Sequence, residues 1–127
     1  DKLHSVHYFE FTSNYTFSGE DHDFWEMVYV DRGKINVVAG DECFVLESGY
    51  AYFHRPNQWH TLVACEGFAS NVAVITFSSR SSAMDTFSDL NIKITAQERQ
   101  LIADIISESK ESFITETGGP YKNRLYN

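Results

Sequence analysis

The stretch that decides the fold is "LESGYAYFHRPNQWHTL", residues 46–62. It contains two short runs of strand-forming residues, separated by Pro56-Asn57, a pair that favours a turn. Gly49 precedes the first run, and His60 opens the second run. We therefore predict two successive β-strands, with His60 at a strand end, where a barrel brings such ends together around one mouth.

Short strands continue on both sides of this stretch. "FWEMVYV" (24–30) is rich in β-branched and aromatic residues, and "FASNVAVITFS" (68–78) is another apolar run. Turn signals such as Arg32-Gly33 separate the strands. Strands at this spacing over residues 3–78 indicate a sandwich or a small barrel.

Helical signals replace strand signals after Ser78. The run "SSAMDTFSDL" (81–90) predicts a short helix. Thr95 and Glu98 form a capping-box pattern that begins a longer helix, predicted over 95–117. The apolar side chains of that helix recur at helical spacing and are Leu101, Ile102, Ile105, Ile106 and Phe113.

Length, charge and cysteine use limit what the chain does. Its 127 residues fit one domain, which we divide into a barrel with an N-terminal arm (1–78) and a helical segment (79–127). A net charge of −8 is a poor match to a phosphate backbone. No apolar run approaches the ~20 residues that span a membrane. Cys43 and Cys65 lack CxxC spacing, which favours buried, reduced thiols in a cytoplasmic protein and leaves one disulfide open.

Two histidines and one carboxylate are the candidate site residues. In an extended strand His22 and Glu26 share a face, and the apolar residues around them predict that the strand is covered on both sides. A covered Glu26 is costly unless a ligand, a histidine or an arginine such as Arg32 or Arg55 satisfies it. It stays open whether His22 only bonds a strand end and His60 only bonds a backbone carbonyl.

These residues carry a family resemblance. The order His22, Glu26, Gly33 and then Gly49, Pro56, His60 resembles the two motifs of the cupin family of double-stranded β-helix barrels. "HDFWEMVYVDRGKI" (22–35) and residues 46–62 are most similar to the sensor domains of AraC-type bacterial transcription regulators. The resemblance runs from about His22 to Phe113. It implies a mainly β, cupin-like barrel (a jelly roll), followed by C-terminal α-helices.

The resemblance also implies a function. It predicts a cytoplasmic, non-enzymatic sensor domain without metal or cofactor, which binds a small polar molecule and forms a homodimer. A sugar is one candidate for that molecule, because carboxylate, histidine and aromatic groups suit sugar binding. DNA would be bound only by a separate C-terminal domain with two helix-turn-helix units, which this chain does not contain. The predicted effector-binding residues are His22, Phe24, Glu26, Phe53, Trp59 and His60. The predicted dimer interface consists of Leu101, Ile102, Ile105, Ile106 and Phe113.

Two other functions remain open. Metal cupins resemble one another in a His-x-His pair followed by Glu, and here Glu20 stands at the first position of that pair. His22, Glu26 and His60 still form a two-histidine, one-carboxylate set, which is typical of Fe(II) enzymes. The alternatives are therefore a metal-dependent cupin enzyme and a dimerisation module with an unoccupied pocket. The apolar stripe of the long helix fits packing on its own barrel as well as pairing.

Overall fold

A computed structural model describes residues 2–12, 22–65, 67, 69–88 and 90–112. Within these ranges the chain is mainly β, as predicted. The elements in chain order are β1 (Lys2–Phe11), β2 (Trp25–Arg32), β3 (Lys34–Ala39), β4 (Glu42–Glu47), β5 (Tyr50–His54), β6 (His60–Ala64), β7 (Ser70–Ser78), a 3₁₀ helix (Ser82–Thr86), β8 (Asn91–Lys93) and α1 (Ala96–Ser112).

The strands form two antiparallel sheets. The larger has the order β1-β7-β2-β5-β8, and the smaller has the order β4-β3-β6. The chain crosses from one sheet to the other at Gly33, whose φ of +86° and whose close approach to the Ser70 hydroxyl leave no room for a side chain. Among the described strands no ladder joins the two sheets, so the predicted barrel is present as two facing sheets and not as a closed ring.

An apolar core fills the space between the sheets. Val28 and Val30 of β2 pack there with Ile35 of β3, and all three are fully buried. Met27 and Tyr29 point to the other face of β2, which is covered as well. The alternation predicted for this strand is confirmed, and hydrophobic burial on both faces stabilises it.

Helix α1 covers the outer face of the larger sheet. Its predicted capping box is confirmed, because the Glu98 N–H donates to Thr95 Oγ1 (3.1 Å) and the Thr95 N–H donates to Glu98 Oε1 (2.9 Å). Ile102 and Ile106 are buried in an outer apolar cluster with strand residues such as Met27. Two of the predicted interface residues therefore belong to the core of the chain itself. For these two residues the structure favours packing on the chain's own sheet over pairing with a second subunit.

The remaining interface residues differ in position. Leu101 and Ile105 lie on the solvent side of α1, with 60% and 38% of their surface exposed. Phe113 lies outside the described residues. The apolar arc predicted for the helix is thus split between a buried side and an exposed side.

The other local predictions hold in part. The run at 81–90 forms only a short 3₁₀ helix, Ser82–Thr86, which has no buried residue to hold a longer one in place. Both cysteines are free thiols, and Cys43 is exposed, so the expectation that both are buried is wrong. No helix in the described part of the chain has the length and apolarity needed to cross a membrane.

Candidate functional site

A row of polar side chains crosses the inner face of the larger sheet at one end. In the strand register Thr76 lies opposite both Ser5 and Glu26, and Glu26 in turn lies opposite His54. The next row contains Val74, Val28 and Tyr52 of the inner apolar cluster, with His7 opposite Val74 on β1. The polar row, as we call it below, consists of Ser5, Thr76, Glu26 and His54.

Glu26 is the centre of this site. The residue is 5% exposed, and its two carboxylate oxygens face two histidines, with 3.2 Å from Oε1 to His22 Nε2 and 3.4 Å from Oε2 to His60 Nε2. Burial alone would raise the pKa of Glu26, but hydrogen bonding from His22 and then His60 outweighs it and holds the pKa at about 2. Histidines, rather than Arg32 or Arg55, therefore satisfy the buried carboxylate.

The two histidines are oriented by backbone carbonyls. His22 Nδ1 donates to the Phe24 carbonyl (3.1 Å), and His60 Nδ1 donates to the Gln58 carbonyl (2.8 Å). Both local hydrogen bonds left open by the sequence are thus confirmed, and they coexist with the pairing to Glu26. A carbonyl only accepts, so Nε2 is the nitrogen that each ring turns towards the carboxylate. The hydrogen bond to Glu26 raises the pKa of His22, although burial opposes the shift.

A backbone hydrogen bond holds the two halves of the site together. The Asn57 N–H donates to the His22 carbonyl at 2.6 Å, which ties the turn before β6 to the residues before β2. Asn57 has a φ of +68°, a left-handed conformation that asparagine tolerates better than most residues. This contact fixes the separation of the two histidines through the main chain.

His54 is a site residue that sequence reasoning missed. Its surface is 0% exposed, and its ring stacks on His60 with the centroids 4.2 Å apart and the planes 17° apart. Among the described residues neither ring nitrogen makes a hydrogen bond of ordinary geometry, and the Gln58 side chain is a polar neighbour of the ring. Burial, reinforced by the charge on His60, lowers the pKa of His54 to about 4, against weaker opposing effects of Glu26 and Gln58. The ring is therefore neutral near pH 7.

The other predicted effector-binding residues do not all join the site. Phe24 stacks on His22 with the centroids 4.1 Å apart. Trp59 precedes His60 and is exposed, outside the buried cluster. Phe53 lies on the opposite face of the sheet, where it packs against Phe87 beneath the 3₁₀ helix. In a strand Phe53 points away from its neighbour His54, so the structure does not bring Phe53 together with the other site residues.

The donor set also fits a divalent metal ion. One ligand atom from each of His22, Glu26 and His60 lies within 4.8 Å of the other two. Histidines that bind metals usually donate the other ring N–H to a carbonyl or a carboxylate, and both of these histidines do so. Two imidazoles and one carboxylate form the facial set of non-haem Fe(II) sites. The site can therefore act as a polar ligand pocket or as a metal centre.

Comparisons with known proteins place the fold. No protein-family model matches the chain, and no curated protein sequence matches it. Solved structures do match. A cupin 2 domain-containing protein from Halorhodospira halophila is 22% identical over 76% of this chain and 62% of that chain, with a TM-score of 0.52. A cupin 2 conserved barrel domain protein from Rhodopseudomonas palustris is 19% identical over 84% and 66%, with a TM-score of 0.51.

A third structure covers more of the chain, including part of the helical segment. It is wild-type ToxT from Vibrio cholerae strain SCE256 with an unsaturated fatty acid bound, 12% identical over 89% of this chain and 50% of that chain, with a TM-score of 0.61. The chain thus spans half to two thirds of the length of these three structures. At these low identities the structural similarity shows the fold only, and this chain has a cupin fold.

Proposed function

We propose that this chain is the small-molecule-sensing domain of an AraC-type transcription regulator and is not an enzyme. The observation that carries the proposal is the polar row, a set of hydrogen-bonding groups, most of them buried, beside the apolar inner cluster of the cupin fold. Two findings support it. The motifs at 22–35 and 46–62 resemble those of AraC-type sensors, and ToxT, which shares the fold over 89% of this chain, holds an unsaturated fatty acid.

The fold offers a short route from the site to the helix. Glu26 points inward to the site, while the next residue, Met27, points outward into the cluster that holds α1. A ligand that prefers one position of β2 therefore also biases the position of α1. It does so only by the difference between its affinities for the two states. In this proposal DNA is bound by a separate domain in the cytoplasm, and the effector is a small polar molecule.

A test of the site needs ligand classes and a matched variant. We expect one class in a thermal-shift screen of sugars, polyols, small carboxylic acids and fatty acids to raise the Tm of the wild type. Glu26→Gln should lose that shift, because the amide no longer holds His22 and His60 in place. Glu47→Gln, which changes an exposed carboxylate on β4, should keep it. A compound that shifts all three proteins equally does not bind at this site.

Homodimerisation through α1 is part of the same proposal. Leu101 and Ile105 are one helical turn apart and exposed, which suits a two-fold contact in which the same patch serves both subunits. Sedimentation velocity at micromolar concentration should show a dimer. The double variant Leu101→Asp/Ile105→Asp should be a folded monomer, while Gln97→Asp, at another exposed position, should remain a dimer. A wild type that sediments as a monomer contradicts this part of the proposal.

A metal-dependent cupin enzyme is the second candidate, and the carbonyl-bonded Nδ1 atoms of His22 and His60 favour it. With Glu26 these residues would hold an ion that supplies a Lewis-acid centre with open positions. Metal analysis of protein purified without added metal separates the two functions. The sensor proposal predicts a molar ratio of less than one metal ion per chain. One equivalent of Fe, Mn, Ni or Zn in the wild type, lost in His60→Ala, would contradict the metal-free sensor and favour the enzyme instead.

A further inference from the structure

His54 carries hydrogen-bonding groups that the folded chain does not use. The residue is 0% exposed, and among the described residues neither Nδ1 nor Nε2 makes a hydrogen bond of ordinary geometry, although the Gln58 side chain is close enough to affect the pKa of His54. Buried polar atoms without partners destabilise a fold, and an aromatic hydrocarbon ring of similar size would avoid that cost at this position. A bound molecule, either a water or a ligand, can complete the hydrogen bonds of such groups.

The rings around His54 determine which of its atoms remain uncovered for a ligand. One face of its ring is covered by His60, and Tyr52 meets it edge-on with the centroids 5.0 Å apart. Both nitrogens lie on the ring edge, which stacking on a face does not occupy. Beside His54 in the polar row, the Glu26 carboxylate is engaged with two other histidines. Unused hydrogen-bonding capacity therefore remains at the edge of the His54 ring.

The chemistry of that edge favours an uncharged group that both donates and accepts hydrogen bonds. A neutral imidazole offers one N–H donor and one acceptor nitrogen. A carboxylate only accepts and an ammonium only donates, so either group would suit only one of the two ring nitrogens. A hydroxyl group donates and accepts, and it is uncharged.

We propose that His54 is a ligand-contacting residue, and that the innermost group of the effector is a neutral hydroxyl bound at the edge of its ring. This inference rests on the sensing function proposed above and deepens it by naming the class of effector, an uncharged hydroxyl-bearing molecule. His22 and Glu26 then form the outer part of the same site, since His22 is the more exposed histidine.

The test compares two variants at one position. His54→Phe keeps the ring and removes both nitrogens, whereas His54→Gln keeps a donor and an acceptor. The probes are neutral pentoses, hexoses and four- to six-carbon polyols at millimolar concentration in EDTA, assayed by thermal shift and then by calorimetry. We expect unliganded His54→Phe to melt at a higher temperature than the wild type. We expect it to bind the responding probe about tenfold more weakly, as the loss of a hydrogen bond requires, with His54→Gln in between.

Each outcome is informative. Equal binding by the wild type and His54→Phe overturns the inference, because His54 then only packs. If His54→Phe does not fold, weaker binding by folded His54→Gln supports the inference and unchanged binding overturns it. A wild type that binds carboxylic or fatty acids but no neutral hydroxyl compound overturns this inference and leaves the sensing function standing. A wild type that responds to neither panel removes the sensing function itself.

Discussion

The two faces of the larger sheet carry similar polar contacts in opposite surroundings. On the inner face, Glu26 is 5% exposed and lies 3.2 Å from His22. On the outer face, Asp31 at the end of β2 accepts a hydrogen bond from Arg99 of α1 at 2.7 Å, and the Arg99 side chain is 57% exposed. Distance alone would rank the outer pair first. Solvent screens that pair, while the inner pair is desolvated, so burial decides which of them matters for stability.

The outer face depends on apolar packing instead. Ile102 and Ile106 of α1 are buried against it, and a cleft of about 290 Å³ remains beside them. The Tyr8 hydroxyl donates to Asp31 at 2.7 Å, and burial together with this bond raises the pKa of Tyr8. On the outer face, polar groups such as Tyr8 and Asp31 lie beside the apolar cluster. On the inner face, the polar Glu26 lies at the centre of the site.

The largest effect is expected for Ile106→Asp, which places a charge in the outer cluster. Ile106 is 7% exposed, and burying an unpaired carboxylate there should cost about 4 kcal/mol or more of unfolding free energy. Gln97→Asp, at an exposed position on the opposite side of the same helix, should cost less than about 0.5 kcal/mol. Urea unfolding measures both. Equal losses would mean that the two sides of α1 do not differ in burial.

Because of the histidines on the inner face, the free energy of unfolding should be greatest near pH 6.5, the ordinary pKa of histidine. Below this pH the unfolded chain protonates His54 while the folded chain keeps it neutral down to about pH 4, so stability falls as the pH falls. The lowering of the His54 pKa from 6.5 to about 4 corresponds to a loss of about 3 kcal/mol of unfolding free energy by pH 4. Above pH 6.5 the folded chain keeps the proton on His22 that the unfolded chain releases, so stability falls as the pH rises.

Variants can identify which residue causes the loss of stability on each side of that optimum. The measurement is the free energy of unfolding from pH 4 to pH 9 in EDTA. His54→Phe should flatten the acid side, because no neutral imidazole then remains buried at that position. Glu26→Gln should flatten the alkaline side by releasing His22 from its carboxylate. Asp31→Asn changes the outer face only and should preserve both slopes. A wild-type profile that is flat between pH 4 and 6.5 would contradict the neutral state of His54.

The smallest effect is expected for the outer ion pair. A double-mutant cycle with Asp31→Ala and Arg99→Ala should give a coupling energy below about 1 kcal/mol, because solvent surrounds the Arg99 side chain. The coupling should shrink further at high salt. A value above about 2 kcal/mol would mean that charge, rather than apolar packing, holds α1 on the sheet.

Periodicity within one segment was readable from the sequence, and pairing between segments was not. The alternation around Glu26 indicated a strand covered on both faces, and it required a partner for the carboxylate. His54, Ser5 and Thr76 carry no local signal, because they join the site only through the register of four strands. In the same way, helical spacing identified the apolar residues of α1 but not that Ile106 faces the sheet and Leu101 faces solvent.

The polar row also sets when the site can exist during folding. Its Ser5 and Thr76 hydroxyls are hydrogen-bonded to each other across 71 positions of sequence, in the pairing of β1 with β7. Contacts between such distant segments form slowly, on the millisecond-to-second scale of non-local β topologies. During synthesis on the ribosome, the row stays incomplete until the chain has emerged beyond Thr76. A ligand that needs the whole row therefore recognises only chains in which this long-range pairing is complete.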